Sequence, residues 1–368
     1  MPWVFRMTMT VFLASLPCYL FLFWRTSSAA GLLVPNAART VLWLMLGVGA
    51  WYAIFPVLCY WAYYTRPPGL VDRLMNGYPT TDFLFAYPFW VIAAFAGQIF
   101  VYVLAVDGIA LLGRSFQAVD PSLMSLYHAR ATVLLVVFGL GLSIVTAYLD
   151  TRTIRVRERV VPILDLPADL EGFRLVQVSD VQADPRTDPG LLQRYTDKVN
   201  SLGADVVLFA GDLVTRGTAH VQAGVDCIGR MRATHGVYAC LGDHDIWSAP
   251  STVTDGLHSV GVKLVEDGSD LLEVGDTTIG ITVITNAYSG RPDHSFYTTR
   301  TLGDVSILLS HQPSPDVVES AAGLGYDLMF SGHTRWTGCH ELVRIPGECL
   351  SVRDTLCFRL LCHRPDAT

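Results

Sequence analysis

The sequence predicts an α/β chain in two parts: four membrane-spanning helices, then a separate α/β domain. Three observations predict it. Of the 368 residues, 51% are hydrophobic and only 16% are charged, against roughly 25% charged in an average soluble domain. The long uncharged apolar stretches all lie in the first 150 residues. Beyond residue 173, short Val/Ile/Leu runs that end in Gly, Asp or His alternate with segments of helical spacing.

The four apolar stretches are 7–24, 40–65, 83–106 and 131–149. A helix needs about 20 apolar residues to cross a bilayer core, and each stretch is near or above that length. Arg6, an apolar run and the small residues Ser27, Ser28, Ala29 and Ala30 also fit a cleavable signal peptide. Pro17 and the aromatic end Phe21-Leu22-Phe23-Trp24 fit an anchor better. Asp107 directly follows the third stretch and reads as an interfacial carboxylate rather than a functional intramembrane acid.

Four spans put both ends of the chain on one side. That side carries seven arginines, and the opposite loops carry four (Arg25, Arg39, Arg114 and Arg130). By the positive-inside rule this favours the inner or plasma membrane with a cytoplasmic soluble domain. The net charge of −7, with no long basic run, excludes a nucleic-acid partner. The high apolar content excludes intrinsic disorder. Eight cysteines, none in a CxxC pair, suggest neither a zinc finger nor a disulfide framework.

The charged segment 150–159 (DTRTIRVRER) marks the boundary, so residues 1–150 form the membrane region and 151–368 the second domain, with its core at 173–335. Its apolar runs are 175–178, 206–210, 237–241, 279–284, 307–309 and 328–330. Continuous runs of this length suit strands buried on both faces. Segments 191–201, 221–232 and 316–322 have helical spacing between them, and Asp184, Asp188 and Pro189 read as the start signals of the first.

The residues at the strand ends carry the chemistry. Five runs lead into Ser179-Asp180-Val181-Gln182, Gly211-Asp212, Gly242-Asp243-His244-Asp245, Ser310-His311 and Ser331-Gly332-His333-Thr334-Arg335. Open α/β sheets place their sites at the carboxyl ends of strands. Carboxylates and imidazoles converging there are a ligand set for a divalent metal such as Mn, Fe or Zn. Each motif alone is a common turn; five in order are specific. His220, His235, His258, His294 and His340 fall outside the pattern and read as surface or turn residues. Ser310 lacks the GxSxG surroundings of a nucleophile.

In this order and spacing the sequence resembles the calcineurin-like metallophosphoesterases, particularly their membrane-tethered members with several N-terminal helices. The family reads D-x-H, G-D, G-N-H-[DE], a lone His, then G-H-x-H. The chain offers DVQ (180–182), GD (211–212), GDHD (242–245), SHQP (310–313) and GHTR (332–335). The resemblance implies a two-sheet sandwich flanked by helices and a site for one or two divalent ions. It implies Asp180, Gln182, Asp212, Asp243, His311 and His333 as metal ligands, with Asp212 bridging. His244 takes the place of the catalytic histidine, with Asp245 orienting it.

The first-metal half departs from the family. Gln182 and Arg335 stand where histidine ligands are expected, and a guanidinium has no lone pair to offer a metal. Arg335 reads instead as a clamp on Asp180 or on a substrate phosphate. Two readings are open: a one-metal phosphoesterase of low activity, or a catalytically inactive descendant serving as a membrane-bound binding or scaffold module. The implied partners of the enzyme are the bilayer and a phosphate mono- or diester, lipid-linked in keeping with the tether. After His333 only 35 residues remain, without an evident closing strand pair, so the last strands are expected to be incomplete. Read one base later, the codons for 335–338 can encode Gly-Gly-Gln-Val, which points to a frameshift near Thr334.

Overall fold

A computed structural model describes residues 3–116, 120–150, 153–163, 165–285, 303–333, 339–345, 348–354 and 357–363. It divides into two compact units, Met1–Thr153 and Ile154–Thr368.

The first unit is helical: α1 (Trp3–Leu33), α2 (Ala37–Thr65), a short α3 (Leu70–Asn76), α4 (Pro79–Thr81), α5 (Tyr87–Ser115) and α6 (Pro121–Asp150). A π turn at Asp82–Ala86 joins α4 to α5 without a break. Among the described residues, four helices are long and apolar enough to cross a membrane. They are longer than the apolar stretches predicted. At 1.5 Å per residue, the 31 residues of α1 reach about 46 Å, the thickness of a bilayer with its headgroup regions.

Polar pairing inside the bundle accompanies the extra length of α1, α5 and α6, and it adds partners to Asp107 that the sequence did not show. Asp107 lies eight residues before the end of α5 and is bound by Arg25 of α1 and His128 of α6. With that carboxylate paired, α1 and α5 continue as helices through the charged positions. Aromatic packing holds the bundle elsewhere: Tyr52 lies parallel to Phe89 at 5.3 Å between ring centroids and also contacts Phe12 and Tyr19.

The second unit holds two six-stranded sheets. The first runs in the order β1 (Val156–Pro162), β12 (Cys357–His363), β2 (Arg174–Val178), β3 (Val206–Phe209), β4 (Val237–Ala239), β5 (Lys263–Leu264). Strands β2 to β5 are parallel, and β12 runs antiparallel to β2. The second sheet runs β11 (Glu348–Asp354), β10 (Cys339–Ile345), β9 (Leu328–Ser331), β8 (Val305–Ser310), β7 (Thr277–Ile284), β6 (Gly268–Val274). Its centre, β7 to β9, is parallel.

The sandwich arises from period-two alternation within strands that are buried on both faces. Leu175, Val206, Leu208 and Tyr238 turn inward from the first sheet to meet Ile281, Ile307, Leu309 and Phe330 of the second. The alternate residues Val176, Val207 and Phe209 turn outward beneath α7 (Pro189–Asn200), α8 (Val221–Gly229) and α10 (Pro250–Ser259). On the far side, Leu308 and Met329 pack beneath α11 (Pro315–Leu324). Each such side chain withdrawn from water contributes about 1.5–3 kcal/mol. The predicted cap is present, since the Asp188 carboxylate accepts the Leu191 N–H at 2.9 Å and Pro189 opens α7.

The expected loss of closing strands is not met. β10 extends the second sheet beside β9, β11 follows antiparallel, and β12 inserts between β1 and β2. Ile345 pairs with Glu348. A Pro-Gly dipeptide between two seven-residue segments of mixed apolar and polar residues is a signal that the sequence offers for this pair of strands.

Candidate metal centre

The site lies where the parallel strands of both sheets end. From β2 come Asp180 and Gln182, from β3 Asp212, from β4 the residues that open the short helix α9 (Asp243–Ser248), from β8 His311 and from β9 His333. Four of these residues are in the left-handed backbone region: Asp180 (φ 54°), Gln182 (50°), Asp212 (60°) and His333 (58°). Such conformations are uncommon for side chains other than glycine and cluster where a fold imposes them for function. Two glycines make the close approach feasible. A Cβ on Gly211 would sit 2.5 Å from the Gly242 nitrogen, and one on Gly242 would sit 2.1 Å from Asp212 Oδ1.

One ligand atom from each of Asp212, Asp243, His311 and His333 lies within 4.8 Å of the others. His311 Nε2 is 3.1 Å from Asp243 Oδ1 and 3.4 Å from Asp212 Oδ1, and His333 Nδ1 is 3.0 Å from Asp243 Oδ1. The first three residues are buried, and His333 is partly exposed. His311 shows the second tier that metal sites use. Its Nδ1 donates to the Ala210 carbonyl at 2.6 Å, which fixes the ring with Nε2 facing the two carboxylates, the atom that would meet an ion.

The electrostatics fit a cation. Burial disfavours the charged form of His311, but the Asp212 charge and hydrogen bonds donated to Asp212 and Asp243 outweigh it, and its pKa lies well above the ordinary histidine value. Burial likewise opposes ionisation of Asp243, yet its bonds with His311 and His333 hold its carboxyl well below the usual carboxylate range. Two carboxylates and two neutral imidazoles would balance a divalent ion in charge, with ligand types that suit Mn, Fe or Zn.

The other half of the predicted set is weaker. Burial raises the Asp180 pKa, His311 lowers it and Asp212 raises it again. Its Oδ2 accepts bonds from Ser179 Oγ and from the His333 N–H. Gln182 presents Nε2 to Asp212 Oδ2 at 2.7 Å, a donor where a ligand is needed. Turning the amide over would offer its carbonyl oxygen to an ion at that place. Arg335 lies outside the described residues, as do 334–338, where the frameshift reading falls.

The catalytic pair separates in its roles. His244 is oriented by the Thr215 carbonyl, 2.6 Å from Nδ1, while its own N–H donates to Asp212 Oδ1 at 3.0 Å. Asp245 does not take the expected place beneath that imidazole. Its carboxylate is fully buried and accepts four main-chain N–H groups: Asp212 and Gly242 on Oδ2, Leu213 and Val214 on Oδ1. It clamps the β3 and β4 loops together. Burial and the neighbouring Asp212 charge push its pKa up to about 7, against the pull of those amides. As the third residue of α9, Asp245 reaches back to the Gly242 N–H at the helix start and across to the three amides of the loop after β3.

Sequence reasoning missed Thr215, whose contribution is a main-chain carbonyl and carries no residue-type signal. It also missed Trp247, one turn beyond His244 on α9. That ring is 48% exposed, with its centroid 5.9 Å from the imidazole.

The chain resembles known proteins in sequence. Over 220 residues the chain is 27% identical to a transmembrane protein with metallophosphoesterase domain from Danio rerio, covering 56% of this chain and 50% of that one. It is 26% identical over 193 residues to an uncharacterized metallophosphoesterase of Bacillus subtilis, covering 51% and 66%. A shorter match, 34% over 79 residues, is to a UDP-2,3-diacylglucosamine pyrophosphatase of Chlamydia trachomatis, covering 21% of this chain and 24% of that one. The chain thus spans less than two thirds of the length of each of these relatives. Residues 173–335 match the family model of the calcineurin-like phosphoesterases. The chain thus carries, behind four apolar helices, a domain that matches the calcineurin-like metallophosphoesterases.

Proposed function

We propose that the protein is a membrane-anchored phosphoesterase that works with one tightly held divalent ion and hydrolyses a phosphate mono- or diester on a lipid. The observation that carries this is the convergence of Asp212, Asp243, His311 and His333 within 4.8 Å, with the His311 tautomer set by the Ala210 carbonyl. An ion held by these four supplies Lewis acidity and positive charge at the phosphoryl group. The chain supplies the rest. Thr215 fixes His244 through Nδ1, so Nε2 is the atom that hands a proton to the leaving oxygen. Asp245 holds the loops bearing Asp212 and Asp243 at their spacing.

The lipid class is supported by the helices, which bring the domain to a bilayer, and by the relative named as a diacylglucosamine pyrophosphatase. The arginine distribution supports the cytoplasmic face, which protease protection of residues 154–368 in oriented vesicles would check. The ion is Mn, Fe or Zn, and Gln182 restricts a second ion to weak binding.

The test uses the full chain in detergent with bis-p-nitrophenyl phosphate and Mn²⁺. We expect about one metal per chain, turnover removed by EDTA and restored by Mn²⁺, and stabilisation of about 2.7 kcal/mol at a hundredfold excess of ion over Kd. Metal bound without turnover on any phosphoester would replace the enzyme by the scaffold reading, which the Gln182 donor favours. Trp247 gives a second check. As an exposed ring beside His244 it is placed to stack on the leaving group, so Trp247→Ala is expected to raise KM about tenfold and leave kcat nearly unchanged. An unchanged KM would remove Trp247 from the substrate surface.

A further inference from the structure

The apolar helices carry a second polar centre, independent of the metal site. Arg25 Nε donates to Asp107 Oδ2 at 2.6 Å, its Nη2 reaches Oδ1, and His128 Nε2 meets the same Oδ1 at 2.6 Å. Three helices meet at one carboxylate. The Arg25 guanidinium also lies 4.7 Å from the centroid of the Trp24 ring, which fixes its plane. These side chains line a cleft of about 530 Å³, whose remaining wall includes Leu104, Leu111 and Arg114.

Charge and shape in this cleft point the same way. Asp107 is the one carboxylate among its lining residues, and both its oxygens are engaged by Arg25 and His128. Arg114 is exposed and donates through Nη2 to the Ser125 hydroxyl at 3.2 Å. Two guanidiniums against one carboxylate, with the histidine counted as neutral, leave a net charge of +1. An excess cation between apolar helices is stabilised by an anion. A guanidinium matches phosphate oxygens in bidentate geometry. The leucine wall suits what is attached to the phosphate: hydrocarbon rather than water.

We propose that this cleft binds the phosphate group of an anionic phospholipid, with Arg114 and Arg25 as its ligands. Asp107 and His128 are positioning residues that hold Arg25 in place. Basic pockets between membrane helices are built for such headgroups. Here Arg114 lies one residue before the end of α5, at the level of lipid phosphates, and Arg25, Asp107 and His128 lie within eight residues of the facing ends of α1, α5 and α6, just beneath it.

The test is native mass spectrometry of the full chain released from detergent micelles containing equal phosphatidylglycerol and phosphatidylcholine. The wild type is expected to retain phosphatidylglycerol about fivefold over phosphatidylcholine, the preference expected from one unneutralised arginine. Arg114→Gln is expected to abolish that preference and Arg114→Lys to keep most of it. Arg114 is exposed, so both variants should keep the wild-type helical circular dichroism. Equal retention of the two lipids by the wild type, or an undiminished preference in Arg114→Gln, would overturn the proposal. Displacement of phosphatidylglycerol by millimolar inorganic phosphate would also overturn it, assigning the cleft to the free anion.

Discussion

Asp245→Ala is expected to destabilise the α/β unit by about 3–5 kcal/mol, the largest effect of any single substitution near the site. The wild-type carboxylate accepts four main-chain N–H groups, at 2.9 Å from Asp212, 3.0 Å from Gly242, 2.9 Å from Leu213 and 3.2 Å from Val214. All lie in the interior, where an orphaned donor costs about 1–3 kcal/mol. The methyl group of alanine satisfies none of them, and the costs do not add fully because the loops relax. For a unit of this size, a loss of 3 kcal/mol lowers Tm by about 6–12 °C. Thermal unfolding of the full chain with and without Mn²⁺ measures it. Asp245→Asn keeps one oxygen but turns an NH₂ toward two N–H donors, so it should recover less than half of the loss. A Tm within about 2 °C of wild type for Asp245→Ala would mean that other acceptors hold these loops.

His311→Ala has the largest expected effect on chemistry. The substitution removes one of four ligand atoms and leaves Asp212 and Asp243 without the imidazole that lies 3.1–3.4 Å from them. Metal content after dialysis is expected to fall from about one per chain to near zero, and turnover to fall by about 10²–10³, the usual cost of losing one aligned electrostatic contact. The fold should survive, because the side chain lies at the end of β8 rather than between the sheets. Atomic emission for metal and a single-turnover assay separate the two losses. Full metal occupancy in His311→Ala would place the ion elsewhere, with Asp180 and Gln182 the remaining candidates. The same variant made with His333→Ala tests whether the two imidazoles act as one unit, since ligands of a single ion give non-additive losses.

The readable parts of the sequence were those whose signal is local. Four spans are visible because a bilayer demands long uncharged runs, and five strands because their Val/Ile/Leu runs are continuous. The candidate site was visible for a related reason: a chain that turns sharply at its strand ends writes Gly-Asp, Gly-Asp-His-Asp and Gly-His there. The last three strands were not visible in this way. β10 and β11 mix apolar and polar residues instead of forming continuous apolar runs, and β12 pairs with β1 and β2 from the start of the domain, partners that no local pattern names.

By itself the sequence determined the division into apolar helices and an α/β domain, the resemblance of that domain to calcineurin-like phosphoesterases, and the residue types available to hold an ion. Only the tertiary structure decided what those residues do to one another. It turned Asp245 toward four amides, one at the start of α9 and three in the loop after β3. It tied His311 Nδ1 to a carbonyl and so aimed Nε2 at the two carboxylates. It moved Asp107 from a solitary acid at a helix end to the meeting point of three helices. In each case the deciding partner is a main-chain group or a side chain on another element. Hydrogen bonds of 2.6–3.0 Å depend on where the backbone passes in space, which residue order alone leaves open.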